Sequence, residues 1–169
     1  MPRVIIGVIG PGAGARAVDC QRAQALGAAI AAQGWVLLTG GRPAGVMAAA
    51  SAGARAAGGL TVGILPGRDP ATADPAVEIA ICTDLGHARN NLNVLSATAL
   101  VACGLGLGTV SEIALALKNA RPVVLLDERP TAAEFFATLG VEPLVRVVTV
   151  AQAIAQLHQI LAPRSGSGA

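Results

Sequence analysis

The stretch Val4-Ile5-Ile6-Gly7-Val8-Ile9, followed by Gly10-Pro11-Gly12-Ala13-Gly14, decides the fold of this chain. Its first six residues form a continuous apolar run, which is typical of a strand buried on both faces. The glycine turn leads directly into a helical pattern over residues 15–33. A buried strand that passes through a tight turn into a helix is the repeating unit of α/β proteins.

The same alternation continues along the chain. Strands are predicted at residues 35–38, 60–65, 77–82, 99–103, 122–126 and 145–148, and helices at residues 44–57, 87–96, 109–119, 131–139 and 150–161. This order predicts an α/β fold of Rossmann-like three-layer α/β/α architecture, with a mostly parallel sheet. We expect a single domain over residues 1–162 and a disordered Ser/Gly-rich tail over residues 163–169.

The composition restricts the possible partners. Of the 169 residues, 53% are hydrophobic and only 13% are charged, so some apolar helix faces should be covered by further copies of the chain. The net charge of +2 comes from scattered basic residues, and tyrosine is absent, which argues against nucleic-acid binding. Glycines and charges interrupt every apolar stretch, so no membrane span is predicted.

The cysteines and the N-terminus indicate a cytoplasmic protein. Cys20, Cys82 and Cys103 are widely spaced and odd in number, which fits a reducing compartment better than a disulfide framework. No Cys-x-x-Cys motif or His/Cys cluster indicates a metal site. Met1-Pro2-Arg3 runs straight into the first strand, so no signal peptide is expected.

Three glycine-rich turns follow predicted strands, at residues 10–14, at Thr39-Gly40-Gly41-Arg42 and at residues 104–109. Parallel strands place their carboxyl ends at one edge of the sheet, so these turns should meet there. Glycine allows a ligand to approach the backbone, and a helix that begins after such a turn adds partial positive charge. The turns therefore predict a pocket for an anionic small molecule.

The candidate binding residues lie on these turns and on two nearby helix starts. They are Gly10, Pro11, Gly12, Gly40, Gly41, Arg42, Gly45, Arg89, Asn90, Asn91, Gly106, Gly108, Thr109 and Glu112. An arginine offers a bidentate fork to an anion, and the hydroxyl of Thr109 can cap a helix. The glycine spacing differs from the dinucleotide fingerprint, and Thr39 stands where an acidic residue would hold a ribose, so NAD(P) binding is rejected.

Each candidate also has a purely structural interpretation. The first turn can be a tight strand-to-helix connection without a ligand, and Arg42 can be a solvated surface arginine. The residues Arg89, Asn90 and Asn91 can cap a helix, and Glu112 can hydrogen-bond loop N–H groups. Met47 is interpreted as core filler, Cys103 as a buried inert thiol and His87 as a surface histidine.

The second and third turns resemble the Rossmann-like superfamily of the LOG-type phosphoribohydrolases, which cleave the N-glycosidic bond of nucleoside monophosphates. The resemblance lies in Thr39-Gly40-Gly41 with Gly45-Val46-Met47, in Arg89, and in Gly106-x-Gly108-Thr109-x-x-Glu112. Gly104-Leu105 replaces the Pro-Gly of that family's motif, and Asn90 replaces its lysine. Membership would make Arg89 and Glu112 the catalytic pair; the two departures weaken that interpretation.

A longer resemblance, over residues 4–161, is to the molybdenum cofactor carrier family of green algae and bacteria. It is carried by residues 6–12, 34–42, 63–67, 88–91 and 112–118. It implies a carrier rather than an enzyme, with no catalytic residue and no metal ligand of its own. It further implies a homo-oligomer, with a tetramer expected. The cargo would be the molybdenum cofactor, protected and delivered to apo-molybdoenzymes such as nitrate reductase, and a thiolate bond from Cys103 to it stays an alternative.

Overall fold

The computed structural model describes residues 3–140 and 144–162, so the predicted tail over residues 163–169 lies outside the described residues. Its sheet has seven strands in the order β4-β3-β2-β1-β5-β6-β7, and every described pair is parallel. The strands are β1 (Ile5–Ile9), β2 (Val36–Thr39), β3 (Thr61–Leu65), β4 (Ile79–Cys82), β5 (Ala99–Cys103), β6 (Val123–Leu126) and β7 (Leu144–Val147). The predicted Rossmann-like fold is confirmed.

Six α-helices cover the two faces of this sheet. They are α1 (Ala17–Ala32), α2 (Gly45–Ala56), α3 (Asn90–Ser96), α4 (Leu107–Lys118), α5 (Thr131–Ala137) and α6 (Val150–Leu161). Buried residues of α1, α2 and α6 form one core cluster with the sheet, and those of α3, α4 and α5 form the other. None of the described helices has the length and apolar character needed to cross a membrane.

The starts of α3 and α4 differ from their predictions in ways that bear on the site, while α1 and α2 begin within two residues of theirs. The helix predicted from residue 87 begins as a 3-10 turn over Gly86–Arg89, and α3 follows it. Helix α4 begins at Leu107, two residues before the predicted start, with Gly106 as its extended N-cap. Thr109 therefore lies inside the first turn, and its predicted capping role is wrong.

The strand order places a crevice beside β1. This strand pairs with β2 on one side and β5 on the other. Strands β2 to β4 are therefore added on one side of β1, and β5 to β7 on the other. In parallel sheets of this kind the connections diverge at such a point, and ligands bind beyond the carboxyl ends of the strands. The turns that follow β1, β2 and β5 all lie at this edge.

Candidate functional site

A cleft of about 340 Å³ lies at the carboxyl edge of the sheet, beside β1. Its volume falls in the usual range for small-molecule sites. It is lined by the end of β1, the turns after β1 and β2, the 3-10 turn before α3, and the start of α4. The lining residues are Val8, Ile9, Gly10, Pro11, Gly12, Ala13, Gly40, Arg42, Met47, His87, Arg89, Asn90, Gly106, Leu107, Gly108, Thr109 and Glu112.

The turn after β1 is tied to the start of α2. The N–H of Val46 donates to the carbonyl of Pro11 at 3.0 Å. Gly45 has a φ of +52°, and a Cβ at this position would lie 2.2 Å from the carbonyl oxygen of Gly12. Only glycine permits this close approach, so Gly45 supports the turn from behind. It is not among the residues that line the cleft.

The N-terminus of α4 contributes backbone donors to the cleft. The N–H of Val110 donates to the carbonyl of Gly106 at 2.9 Å, which leaves the earlier N–H groups of the first turn without intrahelical partners. The hydroxyl of Thr109 is buried and has no hydrogen-bond partner among the described residues. A buried hydroxyl without a partner is unfavourable, so this end of the cleft is suited to a polar ligand.

Glu112 and Arg89 form a buried pair at the inner wall of the cleft. An oxygen of Glu112 (Oε1) accepts a 2.8 Å hydrogen bond from Nδ2 of Asn93 and lies 3.9 Å from Nη1 of Arg89. Burial raises the pKa of Glu112, and the Asn93 hydrogen bond and the charge of Arg89 act in the opposite direction. Burial likewise lowers the pKa of Arg89, which Glu112 opposes and Arg42 reinforces.

The balance of charge in the cleft favours an anion. Arg42 is exposed, and no carboxylate of the described residues lies within ion-pair distance of it. Arg89 is neutralised in part by Glu112, and its Nε is buried without a hydrogen-bond partner among the described residues. The cleft therefore holds two guanidinium groups and a single carboxylate, and the excess positive charge would attract a ligand phosphate or another anionic group.

Three predicted residues lie outside the cleft lining. Besides Gly45, these are Gly41 and Asn91. Gly41 has a φ of +73° and packs against Leu65 and Gly63, so it shapes the turn after β2. The side-chain oxygen of Asn91 accepts a 3.4 Å hydrogen bond from Nδ2 of Asn119, the residue that caps the end of α4.

The other eleven predicted residues do line the cleft, and Asn90 is held there by two contacts. Its Nδ2 donates to the hydroxyl of Ser111 at 3.0 Å, and its Oδ1 accepts a long hydrogen bond of 3.4 Å from Nη1 of Arg89. Asn90 thus links α4 to the guanidinium. Its position favours a role in orienting Arg89.

Six lining residues were not predicted for the site: Val8, Ile9, Ala13, Met47, His87 and Leu107. From the sequence pattern, Met47 was interpreted as core filler and His87 as a surface histidine. Met47 is nearly buried, but its side chain reaches the turn after β1, where its Cε would lie 3.4 Å from a Cβ on Gly12. The position of Leu107 is visible only once α4 is known to begin there.

Cys103 lies outside the cleft. Its side chain is fully buried in the core cluster of α1, α2 and α6, and this burial raises the pKa of its thiol. Only its backbone touches the site from behind, since its carbonyl oxygen would lie 2.6 Å from a Cβ on Gly10. The thiol is therefore a core group, in agreement with the interpretation of Cys103 as a buried inert thiol.

The chain is similar to several known proteins. The model of the SLOG cluster4 family matches residues 3–159. The structure of the molybdenum cofactor binding protein from Rippkaea orientalis is 49% identical, with a TM-score of 0.93 over 96% of this chain and 99% of that one. The molybdenum cofactor carrier protein from Chlamydomonas reinhardtii is 50% identical, with a TM-score of 0.89 over 96% of this chain and 100% of that one.

A more distant similarity concerns an enzyme. The cytokinin riboside 5'-monophosphate phosphoribohydrolase of Mycobacterium marinum is 38% identical over 93 residues. The match spans 54% of this chain and 50% of that protein.

Proposed function

Because this chain belongs to the SLOG cluster4 family, we propose that it binds the molybdenum cofactor as cargo, protects it and delivers it to apo-molybdoenzymes such as nitrate reductase. The two solved relatives at 49% and 50% identity are described as binding or carrying this cofactor, and each is matched over nearly its whole length. The observation that carries the proposal is the cleft itself, where an exposed Arg42, a buried Arg89 and the start of α4 surround one space.

The chemistry of the cargo agrees with this cleft. The molybdenum cofactor has a terminal phosphate and an oxo-molybdenum centre, so it carries negative charge at two places. Arginine forks and unpaired N–H groups at a helix start bind such groups without a covalent bond. A carrier must release its cargo intact, and a site made of hydrogen bonds and charge allows release.

We further propose that the carrier is a cytoplasmic homo-oligomer, with a tetramer as the expected state. Large apolar side chains are exposed on several elements of the single chain, and a second copy would cover some of them. They are Ile79, Ile81, Leu85, Leu92, Leu95, Leu107, Phe135, Leu139, Val145 and Val148. Light scattering coupled to gel filtration measures the subunit count, and a monomer at micromolar concentration would contradict this part of the proposal.

Delivery is tested by reconstitution. The purified protein is mixed with cofactor released from a molybdoenzyme, freed of unbound ligand, and added to cofactor-free nitrate reductase. We expect nitrate reduction well above that obtained with serum albumin treated in the same way. Arg42→Ala should retain less cofactor in equilibrium dialysis, because it removes the exposed guanidinium without touching the core. Equal activity with albumin would refute the carrier proposal.

A second candidate is a nucleoside 5'-monophosphate phosphoribohydrolase, in which Arg89 would orient the phosphate and Glu112 would act as the catalytic carboxylate. The buried pair, with the pKa of Glu112 raised, favours it. Asn90 in place of the family's lysine opposes it. Incubation with AMP followed by chromatography distinguishes the two, since release of adenine that disappears in Glu112→Gln would establish the hydrolase.

A further inference from the structure

We propose that Glu112 recognises the ring of the cargo by its 2-amino-4-oxopyrimidine edge, at the inner end of the cleft, while the anionic groups bind at the outer end. Pterins carry this edge, and guanine carries the same one. The inference rests on the proposed function and adds to it the orientation of the cargo and the residue that selects the ring.

Exposure divides the cleft into two ends. Five lining residues are exposed and form the outer end: Ala13, Arg42, His87, Leu107 and Gly108. The inner end is formed by residues that are less than a tenth exposed, namely Val8, Ile9, Gly40, Met47, Arg89, Thr109 and Glu112. A charged phosphate or metal-oxo group costs least to bind where water still reaches it, whereas a flat ring gains most from burial.

Glu112 has an acceptor available for a ligand. Its Oε1 accepts from Asn93, which holds the carboxylate in one orientation. No hydrogen bond from the described residues reaches its other oxygen, Oε2, although Glu112 lines the cleft. Each carboxylate oxygen has two lone-pair sites, so both oxygens can accept from a ligand at the same time.

The 2-amino-4-oxopyrimidine edge matches this carboxylate. It presents two adjacent N–H donors, one from the 2-amino group and one from the neighbouring ring nitrogen, and a carboxylate accepts such a pair in bidentate fashion. Adenine presents a donor beside an acceptor, and a 2,4-dioxopyrimidine edge has an oxygen where the amino group would be. Either ring would place an acceptor against the carboxylate.

Two further polar groups at the inner end suit the remaining oxygen of the ring. Arg89 and Thr109 line the cleft, and the Nε of Arg89 and the hydroxyl of Thr109 are buried without a partner among the described residues. Both can donate, and the 4-oxo oxygen next to the two ring donors is an acceptor. The apolar side chains of Val8, Ile9 and Met47 can contact the ring faces, which fits a flat heterocycle better than a second anion.

The experiment uses two fluorescent probes, 6-carboxypterin and 6-carboxylumazine. They share the ring system and the carboxylate and differ only in the 2-amino group, which is an oxygen in the lumazine. Titrations of the full chain are followed by fluorescence anisotropy near neutral pH. We expect wild type to bind the pterin at least about tenfold more tightly, because the lumazine loses one charge-assisted hydrogen bond and gains a repulsive contact.

Two variants separate recognition from simple attraction. Glu112→Gln keeps the shape of the side chain and an oxygen for Asn93 but turns the free oxygen into a donor, so the preference for the pterin should disappear. Arg42→Ala should weaken both probes alike and leave their ratio unchanged, because Arg42 is at the anionic end. Thermal melting checks that each variant remains folded.

The relative affinities for the two probes decide the inference. No binding of the pterin, equal affinity for the two probes, or a preference that survives in Glu112→Gln would overturn the inference. Displacement of the pterin by GMP but not by AMP would extend the recognised class to guanine nucleotides, whereas no displacement by either nucleotide would restrict it to pterins. Delivery to nitrate reductase is measured separately, so a carrier without ring selectivity would refute this inference and leave the proposed function intact.

Discussion

Gly40→Ala should weaken cofactor binding while leaving the fold nearly unchanged. A Cβ at this position would lie 2.6 Å from Nη2 and 2.8 Å from Nη1 of Arg89, and 2.8 Å from Sδ of Met47. These atoms are the ends of flexible side chains, and the backbone of Gly40 has no positive φ, so the strain is relieved by moving the guanidinium. Restoring ordinary contact requires a displacement of roughly 0.8 Å.

That displacement sets the size of the effect. A ligand hydrogen bond of about 2.9 Å to the guanidinium would lengthen to about 3.7 Å, beyond the range in which such bonds form. Losing one charge-assisted hydrogen bond costs about 1.5–3 kcal/mol, which corresponds to a roughly 10- to 150-fold increase in Kd. The free energy of unfolding should change by less than about 1 kcal/mol, or about 2–4 °C in Tm for a chain of this size.

The assay is equilibrium dialysis against released cofactor, with bound molybdenum measured by mass spectrometry and Tm measured in parallel. Gly67→Ala is the matched control, because a Cβ there meets no atom within 4 Å and Gly67 lies outside the cleft lining. Gly10→Ala is the contrasting variant: its Cβ would lie 2.6 Å from the carbonyl oxygen of Cys103, so we expect a large loss of Tm. Wild-type affinity in a folded Gly40→Ala protein would refute the placement of Arg89 at the ligand.

Three further predictions concern other parts of the structure. Glu128 is paired with Arg22 and Arg16, which lower its pKa to about 2. The stabilising contribution of this pairing is therefore present above the usual pKa of Glu and is lost as pH falls toward about 2. Tm profiles of Glu128→Gln and wild type should differ near neutral pH and converge in acid, and parallel profiles would contradict this reasoning. Gly104→Ala should lower the free energy of unfolding by about 2 kcal/mol or more, because its φ is +72° and the new Cβ would lie 2.4 Å from the buried carboxylate of Asp19. Urea unfolding measures this loss, and unchanged stability would mean that Asp19 can move freely. In native protein a thiol reagent should label the exposed Cys82 rapidly and Cys103 only after unfolding, since Cys103 is buried and its pKa is raised. Cys82→Ser should abolish the fast phase, and rapid labelling of Cys103 in the intact protein would show that the core opens.

Much of the fold could be predicted from local pattern. Strand β5 and helix α6 were predicted with their observed bounds, because an uninterrupted apolar run and a strong helical period identify buried elements without reference to the rest of the chain. The start of α4 was not predicted correctly, because its N-cap is Gly106, a residue without a side chain to signal a cap. The extended backbone of Gly106 makes the cap, and sequence pattern does not report backbone angles.

The candidate site was likewise predictable in part from the sequence. The sequence by itself determined that the glycine turns meet at one edge of a parallel sheet, because strand direction follows from the alternation of strands and helices. Only the tertiary structure decided that Arg89 and Glu112 are buried together while Arg42 stays exposed, and that Gly41, Gly45 and Asn91 lie behind or beside the cleft rather than in its lining. The physical reason is that contacts between residues far apart in the chain depend on strand order and helix packing, which no local pattern encodes.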